Sequence, residues 1–167
     1  MKHRKLALEN FIKKHSLTRG AEIGVWQGET SEHLLRTTGA FLYLVDLWQT
    51  SHKYETKKWD HNKNKQMTLN RLKDLTNYKI LQGISWEVAE QITDNELDFV
   101  FIDGDHSTQG VVNDIKAYTP KVKQDGYIIG HDWDWDTVQK AVIEFNSSPS
   151  FLSNGIWYYK KEKRYAI

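Results

Sequence analysis

The stretch LDFVFIDGDHS, residues 97–107, decides the fold. Leu97 to Ile102 is an almost continuous apolar run, which is typical of a β-strand covered on both faces. The run ends at Asp103, and the next three residues add a second carboxylate and an imidazole. A buried strand that ends in such side chains predicts a parallel sheet with polar chemistry at its carboxyl edge.

Four more short strands are predicted on either side of this segment, separated by stretches with helical spacing. The strands are residues 19–25, 41–45, 79–82 and 126–130. The helices are residues 2–15, from Thr30 or Ser31 to Arg36, around 69–75, after Ser107, and 138–145. This alternation favours one α/β domain over residues 1–167, with a Rossmann-like, doubly wound, mostly parallel sheet. Residues 156–159 and 164–166 predict a C-terminal antiparallel hairpin.

Composition excludes several classes of function. The 167 residues carry 23 Lys and Arg against 22 Asp and Glu, so neither nucleic acid nor an anionic membrane is expected as the main partner. The absence of cysteine rules out disulfides and thiolate metal sites. No apolar run approaches the ~20 residues of a membrane helix, and the N-terminus lacks a signal-peptide pattern. We expect a soluble, cytoplasmic protein.

A glycine-containing turn, EIGVWQG at residues 22–28, joins the first strand to a helix. Gly24 and Gly28 allow the backbone to approach a ligand, and the helix that follows offers free N–H groups. The spacing matches neither a dinucleotide-binding loop nor a P-loop, so a plain strand-to-helix turn is the alternative. Asp46 ends the second strand about 20 residues later, where a carboxylate can bind a ribose diol. The alternative for Asp46 is a loop residue or a helix cap.

Acidic and histidine residues cluster after the fourth and fifth predicted strands. They are Asp103, Asp105 and His106 after the fourth, and His131 and Asp132 after the fifth. Carboxylates and imidazoles at one sheet edge suit either a hard divalent cation or acid–base chemistry. The alternative is a structural role, with Ser107 and Asp136 capping the helices that follow.

Together these motifs resemble class I S-adenosylmethionine-dependent methyltransferases. The resemblance rests on EIGVWQGETS at residues 22–31, VD at 45–46, FIDGDHS at 101–107 and GYIIGHDW at 126–133. Within that family the chain is similar to a branch of small bacterial and phage-like members with IDGDHS and GHDW turns, related to metal-assisted O-methyltransferases of sugars and natural products. The resemblance extends from Arg19 to Phe145, nearly the whole chain.

The resemblance implies cofactor contacts at several places. The glycine-containing turn would hold the methionine end of S-adenosylmethionine through Glu22, Gly24, Val25, Trp26 and Gly28. The other contacts would be Asp46 at the ribose, Gly83, Ser85 and Trp86 beside the adenine, and Asp103 near the sulfonium.

The resemblance also implies methyl transfer to an oxygen of a small molecule or a glycan. The implied catalytic residues are Asp103, His106 and His131, with either histidine as the base. Mg²⁺ held by Asp103 and Asp132 would instead lower the pKa of the acceptor hydroxyl. The HD pair at 131–132 departs from the Asp-Asp or Asp-Asn pair that is more usual in metal-dependent relatives.

Two other functions and one segment stay open at the level of sequence. A metal-dependent hydrolase would use the Asp and His residues but would leave Glu22 and Asp46 without a role. A non-catalytic cofactor-binding module is the other alternative.

Residues 48–65 are polar and lysine-rich, and we interpret them as a mobile excursion that serves as a substrate lid, a partner surface or a solvated loop. Aromatic residues near the C-terminus suit either the core or a homo-oligomer interface.

Overall fold

The computed structural model describes residues 2–49 and 60–162, built around one seven-stranded sheet. The strands are β1 (Arg19–Ile23), β2 (Phe41–Asp46), β3 (Tyr78–Gln82), β4 (Leu97–Ile102), β5 (Val122–Gly130), β6 (Ser150–Phe151) and β7 (Trp157–Lys160). The helices are α1 (Lys2–Lys14), α2 (Glu29–Thr38), α3 (His61–Leu72), α4 (Ser85–Val88), α5 (Thr108–Tyr118) and α6 (Asp136–Ile143). Within the described ranges, no helix has both the length and the apolar character needed to cross a bilayer.

The strand order β3-β2-β1-β4-β5-β7-β6 confirms the expected doubly wound α/β fold. Strands β1 to β5 run parallel, with β1 between β2 and β4. Strand β7 is antiparallel to both β5 and β6. Because each parallel pair needs a crossover connection, helices alternate with the strands and cover the sheet.

Both faces of the sheet are buried, which explains the continuous apolar runs. In β2, Leu42 and Leu44 pack in one core cluster with apolar residues of α1, α2 and α3. The alternating residues Tyr43 and Val45 pack in a second cluster with residues of α4, α5 and α6. A strand covered on both sides has no solvent face and therefore no polar alternation.

The predicted C-terminal antiparallel hairpin is confirmed, but its strands are β6 and β7 and not the two predicted segments. We expected residues 156–159 to pair with 164–166, but β7 pairs with β5 on one side and with β6 on the other. Residues 164–166 lie outside the described part of the chain. The buried ring of Trp157 accounts for the contact with β5, because it fills the space beside Gly130, where a Cβ atom would lie 2.1 Å from Trp157 Cζ2. Burial of this large ring favours the position of β7 beside β5.

The start of α2 corrects the predicted cap. The helix begins at Glu29, directly after Gly28, whose φ is 75°, and no side chain caps it. Thr30 and Ser31, predicted as the cap, lie buried in its first turn. Their hydroxyl groups are therefore free to form hydrogen bonds with side chains in the interior, next to β1.

The two later caps have opposite outcomes. Ser107 caps α5 as predicted, because its Oγ accepts a hydrogen bond from Gly110 N at 3.1 Å. Asp136 is the first residue of α6 and not its cap; Trp135 occupies the cap position without a side-chain bond.

Part of the predicted excursion is helical. Asp60 caps α3 by accepting a hydrogen bond from Lys63 N at 2.9 Å, so Lys63 and Lys65 belong to a helix and not to a loop. Residues 50–59 lie outside the described part of the chain. The lid hypothesis therefore stays a prediction.

Candidate functional site

The carboxyl ends of β1, β2 and β4 meet where the strand order reverses, which is the usual ligand position in such sheets. Ile23, the last residue of β1, is in register with the apolar ends of both neighbouring strands. Gly24, Asp46 and Asp103 therefore lie side by side at the carboxyl ends of these three central strands. We call the space that these three residues border the central crevice.

Gly24 allows the β1 turn to pack directly against the end of β4. Its φ is 90°, and its N donates a hydrogen bond to Val45 O at 2.9 Å. A Cβ atom at this position would lie 2.2 Å from Asp103 O. The backbone therefore needs glycine here for both its conformation and its close approach. Val25, the next residue, is buried, so its side chain lies in the core and only its backbone can face a ligand.

The Asp46 carboxylate organises the loops on both sides of the crevice. Its Oδ2 accepts a hydrogen bond from Trp26 N at 2.7 Å, and its Oδ1 accepts one from Trp48 N at 2.7 Å. Gly83 N donates to the Asp46 carbonyl at 3.1 Å, which brings the third predicted contact region to the same place. Each carboxylate oxygen still has acceptor capacity for a ligand hydroxyl.

Glu22 is a buried carboxyl group beneath the crevice. It is 2% exposed, and its Oε2 accepts a hydrogen bond from Ser31 Oγ at 2.5 Å. Burial raises the pKa of Glu22 to about 8, against the opposing effect of the Ser31 bond. A carboxyl group in this state holds a proton at neutral pH.

This burial predicts a pH-dependent effect of Glu22→Gln on stability. The pKa of Glu22 is about 8 in the folded protein against an ordinary value of 4.5, so the folded state binds the extra proton and the wild type loses stability as pH rises between these values. Glutamine has no proton to lose. We expect the variant to gain up to about 5 kcal/mol over wild type between pH 4.5 and pH 8, because each unit of pKa difference corresponds to about 1.4 kcal/mol.

Urea unfolding of wild type and Glu22→Gln across this pH range measures the gain in the free energy of unfolding. Groups that titrate equally in both proteins cancel when the two free energies are subtracted. Glu90→Gln removes a negative charge at an exposed position and is the matched control. A difference between Glu22→Gln and wild type that stays constant with pH would contradict the assignment.

Four of the predicted residues meet in one charged network, which we call the Asp–His cluster: Asp103, His106, His131 and Asp132. His106 Nε2 lies 2.6 Å from Asp132 Oδ2. His131 Nδ1 lies 3.0 Å from Asp132 Oδ1 and 3.4 Å from Asp103 Oδ1, as ion-pair contacts without good hydrogen-bond angles. The carboxyl ends of β4 and β5 thus bring together side chains nearly 30 residues apart, as predicted.

The cluster shifts the pKa values of its members. The bond to Asp132 raises the pKa of His106. Burial lowers the pKa of His131, but Asp103 and Asp132 outweigh it and raise that pKa to about 9. Burial alone would raise the pKa of Asp132, but the two histidines hold this pKa well below its ordinary range. His131 is therefore cationic at neutral pH, and the raised pKa of His106 makes its neutral imidazole a stronger base.

Sequence reasoning missed Arg4, which reaches this network from α1. Its Nη1 donates to Asp103 Oδ2 at 2.8 Å, and its Nη2 donates to Thr30 Oγ1 at 3.1 Å. The side chains of Arg4 and Asp103 are only 20% and 11% exposed. No local pattern signals a contact between residues 99 positions apart.

A second buried carboxyl group, Asp114, lies in α5 and contacts the start of α4. Ser85 Oγ donates a hydrogen bond to Asp114 Oδ1, and Tyr118 Oη donates to Ser85 O at 2.9 Å. Burial raises the pKa of Asp114 to about 7. Trp86, the predicted adenine neighbour, lines an open groove with Asn113, Lys116 and Ala117. A signal for Asp114 exists in the sequence, since it occupies an otherwise apolar helix face between Val111 and Ile115.

Mg²⁺ does not fit the predicted ligands as they are arranged. Asp103, His131 and Asp132 each offer one atom within 4.8 Å of the others, so the size of the site is suitable. However, Arg4 is bonded to Asp103, and both oxygens of Asp132 contact histidines. His131 Nδ1 lies within ion-pair distance of both carboxylates, so a protonated ring offers them positive charge and no lone pair. The side chains of the cluster form a set of ion pairs, and the expected magnesium site at Asp103 and Asp132 gains no support from this arrangement.

Comparison with known families gives one sequence match. A family model described as a methyltransferase domain matches residues 21–133. This range spans β1 to the turn after β5 and contains the glycine-containing turn, Asp46 and the whole Asp–His cluster. Among curated proteins, no sequence matches the chain.

Several solved structures are similar to this chain, among them two methyltransferases and one cofactor-bound protein. The O-methyltransferase NovP is 15% identical with a TM-score of 0.69, over 95% of this chain and 78% of that one. SAH-bound Podospora anserina methyltransferase PaMTH1 is 13% identical with a TM-score of 0.68, over 96% and 78%. Cofactor-bound Rv0187 from MTB is 13% identical with a TM-score of 0.72, over 96% and 80%. At these identities the likeness establishes the fold.

Proposed function

The chain belongs to the methyltransferase domain family, and on that premise we propose that it transfers a methyl group from S-adenosylmethionine to a hydroxyl oxygen of a small molecule or a glycan. The observation that carries the proposal is the central crevice, where Gly24, Asp46 and Asp103 are adjacent at the switch point of the sheet. NovP, which has the same fold, is an O-methyltransferase by name, and this supports oxygen as the acceptor atom.

The residues around the crevice suit this cofactor. Asp46 accepts for a ribose diol, and Gly24 and Gly28 let the backbone approach the methionine end. Ser85 and Trp86 offer a hydroxyl and an aromatic ring to the adenine. The neutral, buried Glu22 supports the turn from below through Ser31, so its role is to position the loop.

The Asp–His cluster handles the proton of the acceptor. When bound, S-adenosylmethionine supplies a methyl carbon whose bond to a positively charged sulfur breaks as the acceptor oxygen bonds to it. His106 in its neutral form takes the hydroxyl proton on Nδ1, because Nε2 faces Asp132 and the side chain is 37% exposed against 19% for His131. Asp132 orients the His106 ring through Nε2 and stabilises the imidazolium that results. His131 lies deeper, between two carboxylates, and holds them in place as a cation.

The comparisons lend no support to the two alternatives. The family match covers the cluster that a metal-dependent hydrolase would use, and the ion pairs within it oppose a metal centre. A pure binding module would not require His106 to be held by Asp132 at the open side of the cluster.

Incubation of the protein with S-adenosylmethionine and a panel of acceptors tests the proposal. The panel pairs hydroxylated compounds with amino counterparts, namely glucose with glucosamine and catechol with 2-aminophenol. We expect O-methylated products, identified by mass spectrometry, whose formation requires the protein. N-methylated products alone would overturn the assignment of oxygen as the acceptor atom and leave methyl transfer intact.

A further inference from the structure

Arg4 is held in place at the Asp–His cluster by contacts along α1 and α2. The buried residues Leu8, Phe11 and Ile12 pack α1 against the sheet. Lys5, the next residue, lies 3.7 Å from Glu29 at the start of α2. A guanidinium anchored by a packed helix loses less conformational entropy on pairing than one on a free segment.

The contacts of Arg4 join it to the cluster as a resident charge. Two separate nitrogens bond to Asp103 and Thr30, at 2.8 and 3.1 Å. Limited exposure of Arg4 and Asp103 reduces screening by water, so the attraction is stronger than in a surface pair. The guanidinium donates a hydrogen bond to Oδ2 of Asp103, and the other carboxylate oxygen, Oδ1, faces His131.

A divalent ion and Arg4 would compete for the same carboxylate. An ion bound to Asp103, His131 and Asp132 would lie within a few ångströms of the Arg4 guanidinium, and two like charges so close repel each other strongly. Mg²⁺ binds through carboxylate oxygens and water, and a cation already paired with such a carboxylate weakens its attraction for the ion. In this chain both carboxylates are already paired with cations.

We propose that Arg4 is the resident cation of the site: it neutralises Asp103 in place of a divalent metal and excludes metal from the cluster. This inference rests on the proposed function, because it concerns the same site. Arg4 is thus a positioning residue that fixes Asp103, and methyl transfer by this chain proceeds without an added divalent ion.

Titration with Mn²⁺, followed by loss of the free-ion electron paramagnetic resonance signal, tests the proposal without requiring an acceptor or a cofactor. We expect wild type to bind no Mn²⁺ below millimolar concentrations. Arg4→Met should bind Mn²⁺ at least about tenfold more tightly, since it removes the nearby repelling charge. Arg4→Lys keeps a cation at this position and should behave as wild type.

Lys5→Met is the matched control, because it removes the neighbouring charge, which contacts Glu29 and not the cluster. Arg4→Gln is a second neutral variant in case Arg4→Met does not fold, and a thermal melt checks each protein. Tight binding of Mn²⁺ by wild type would overturn the proposal, as would equal affinity in wild type and a folded neutral variant. Cofactor binding by wild type is a separate measurement, so either result leaves the methyltransferase proposal to its own test.

Discussion

Alanine at Gly24 should lower the free energy of unfolding by at least about 3 kcal/mol. Two independent effects act at this position. The φ of 90° disfavours any residue with a Cβ atom, and that atom would lie 2.2 Å from Asp103 O and 2.6 Å from Asp103 C. Both obstructing atoms belong to the backbone at the end of β4, so no side chain can move aside. The turn and the strand would have to separate.

Gly39→Ala is the matched control for Gly24→Ala. Gly39 ends α2 with a φ of 70°, but nothing lies within 4 Å of its added Cβ atom. Only the conformational cost remains, about 1 kcal/mol. Urea unfolding of both variants separates the two effects. Equal losses of stability would show that the backbone contact between β1 and β4 is unimportant.

Asp46→Ala should weaken the binding of S-adenosylhomocysteine about 100-fold. Two hydrogen bonds from a ribose diol to a charged carboxylate contribute about 3 kcal/mol together, and each 1.4 kcal/mol corresponds to about a tenfold change in affinity. The substitution also releases Trp26 N and Trp48 N, which the carboxylate holds at 2.7 Å. Calorimetric titration measures the loss directly.

Asp98→Ala is the control that separates ligand binding from loop support. Asp98 also accepts hydrogen bonds from two backbone amides, Thr18 N at 2.8 Å and Arg19 N at 2.9 Å. It lies near the start of β4, at the edge of the sheet opposite the crevice. We expect Asp98→Ala to lose stability and keep its affinity for S-adenosylhomocysteine. An unchanged affinity in Asp46→Ala would remove Asp46 from the cofactor site.

The fold could be predicted because its strongest signals are local. Continuous apolar runs mark strands that are covered on both faces, and Ser107 caps α5 through a bond only three residues long. The antiparallel C-terminal hairpin was predicted, but the pairing of β7 with β5 was not, because it joins segments about 30 residues apart and depends on how Trp157 packs against Gly130. Tertiary packing decides which strand lies on the other side of β7.

The sequence was sufficient to locate the site at the carboxyl ends of the parallel strands, but not to predict the contacts within it. Parallel strands end at one edge, so Asp103 and Asp132 had to lie near each other once the fold was known. What each carboxylate contacts depends on side-chain geometry that no spacing reveals. Arg4 illustrates this, because its contact with Asp103 turns an expected magnesium ligand into half of an ion pair.

Calorimetric titration of the wild-type protein with S-adenosylhomocysteine, with and without Mg²⁺, tests the central claim most directly. We predict binding in the micromolar range and the same affinity in both buffers, since Arg4 already neutralises Asp103. No detectable binding in either buffer would contradict the assignment of the central crevice to this cofactor.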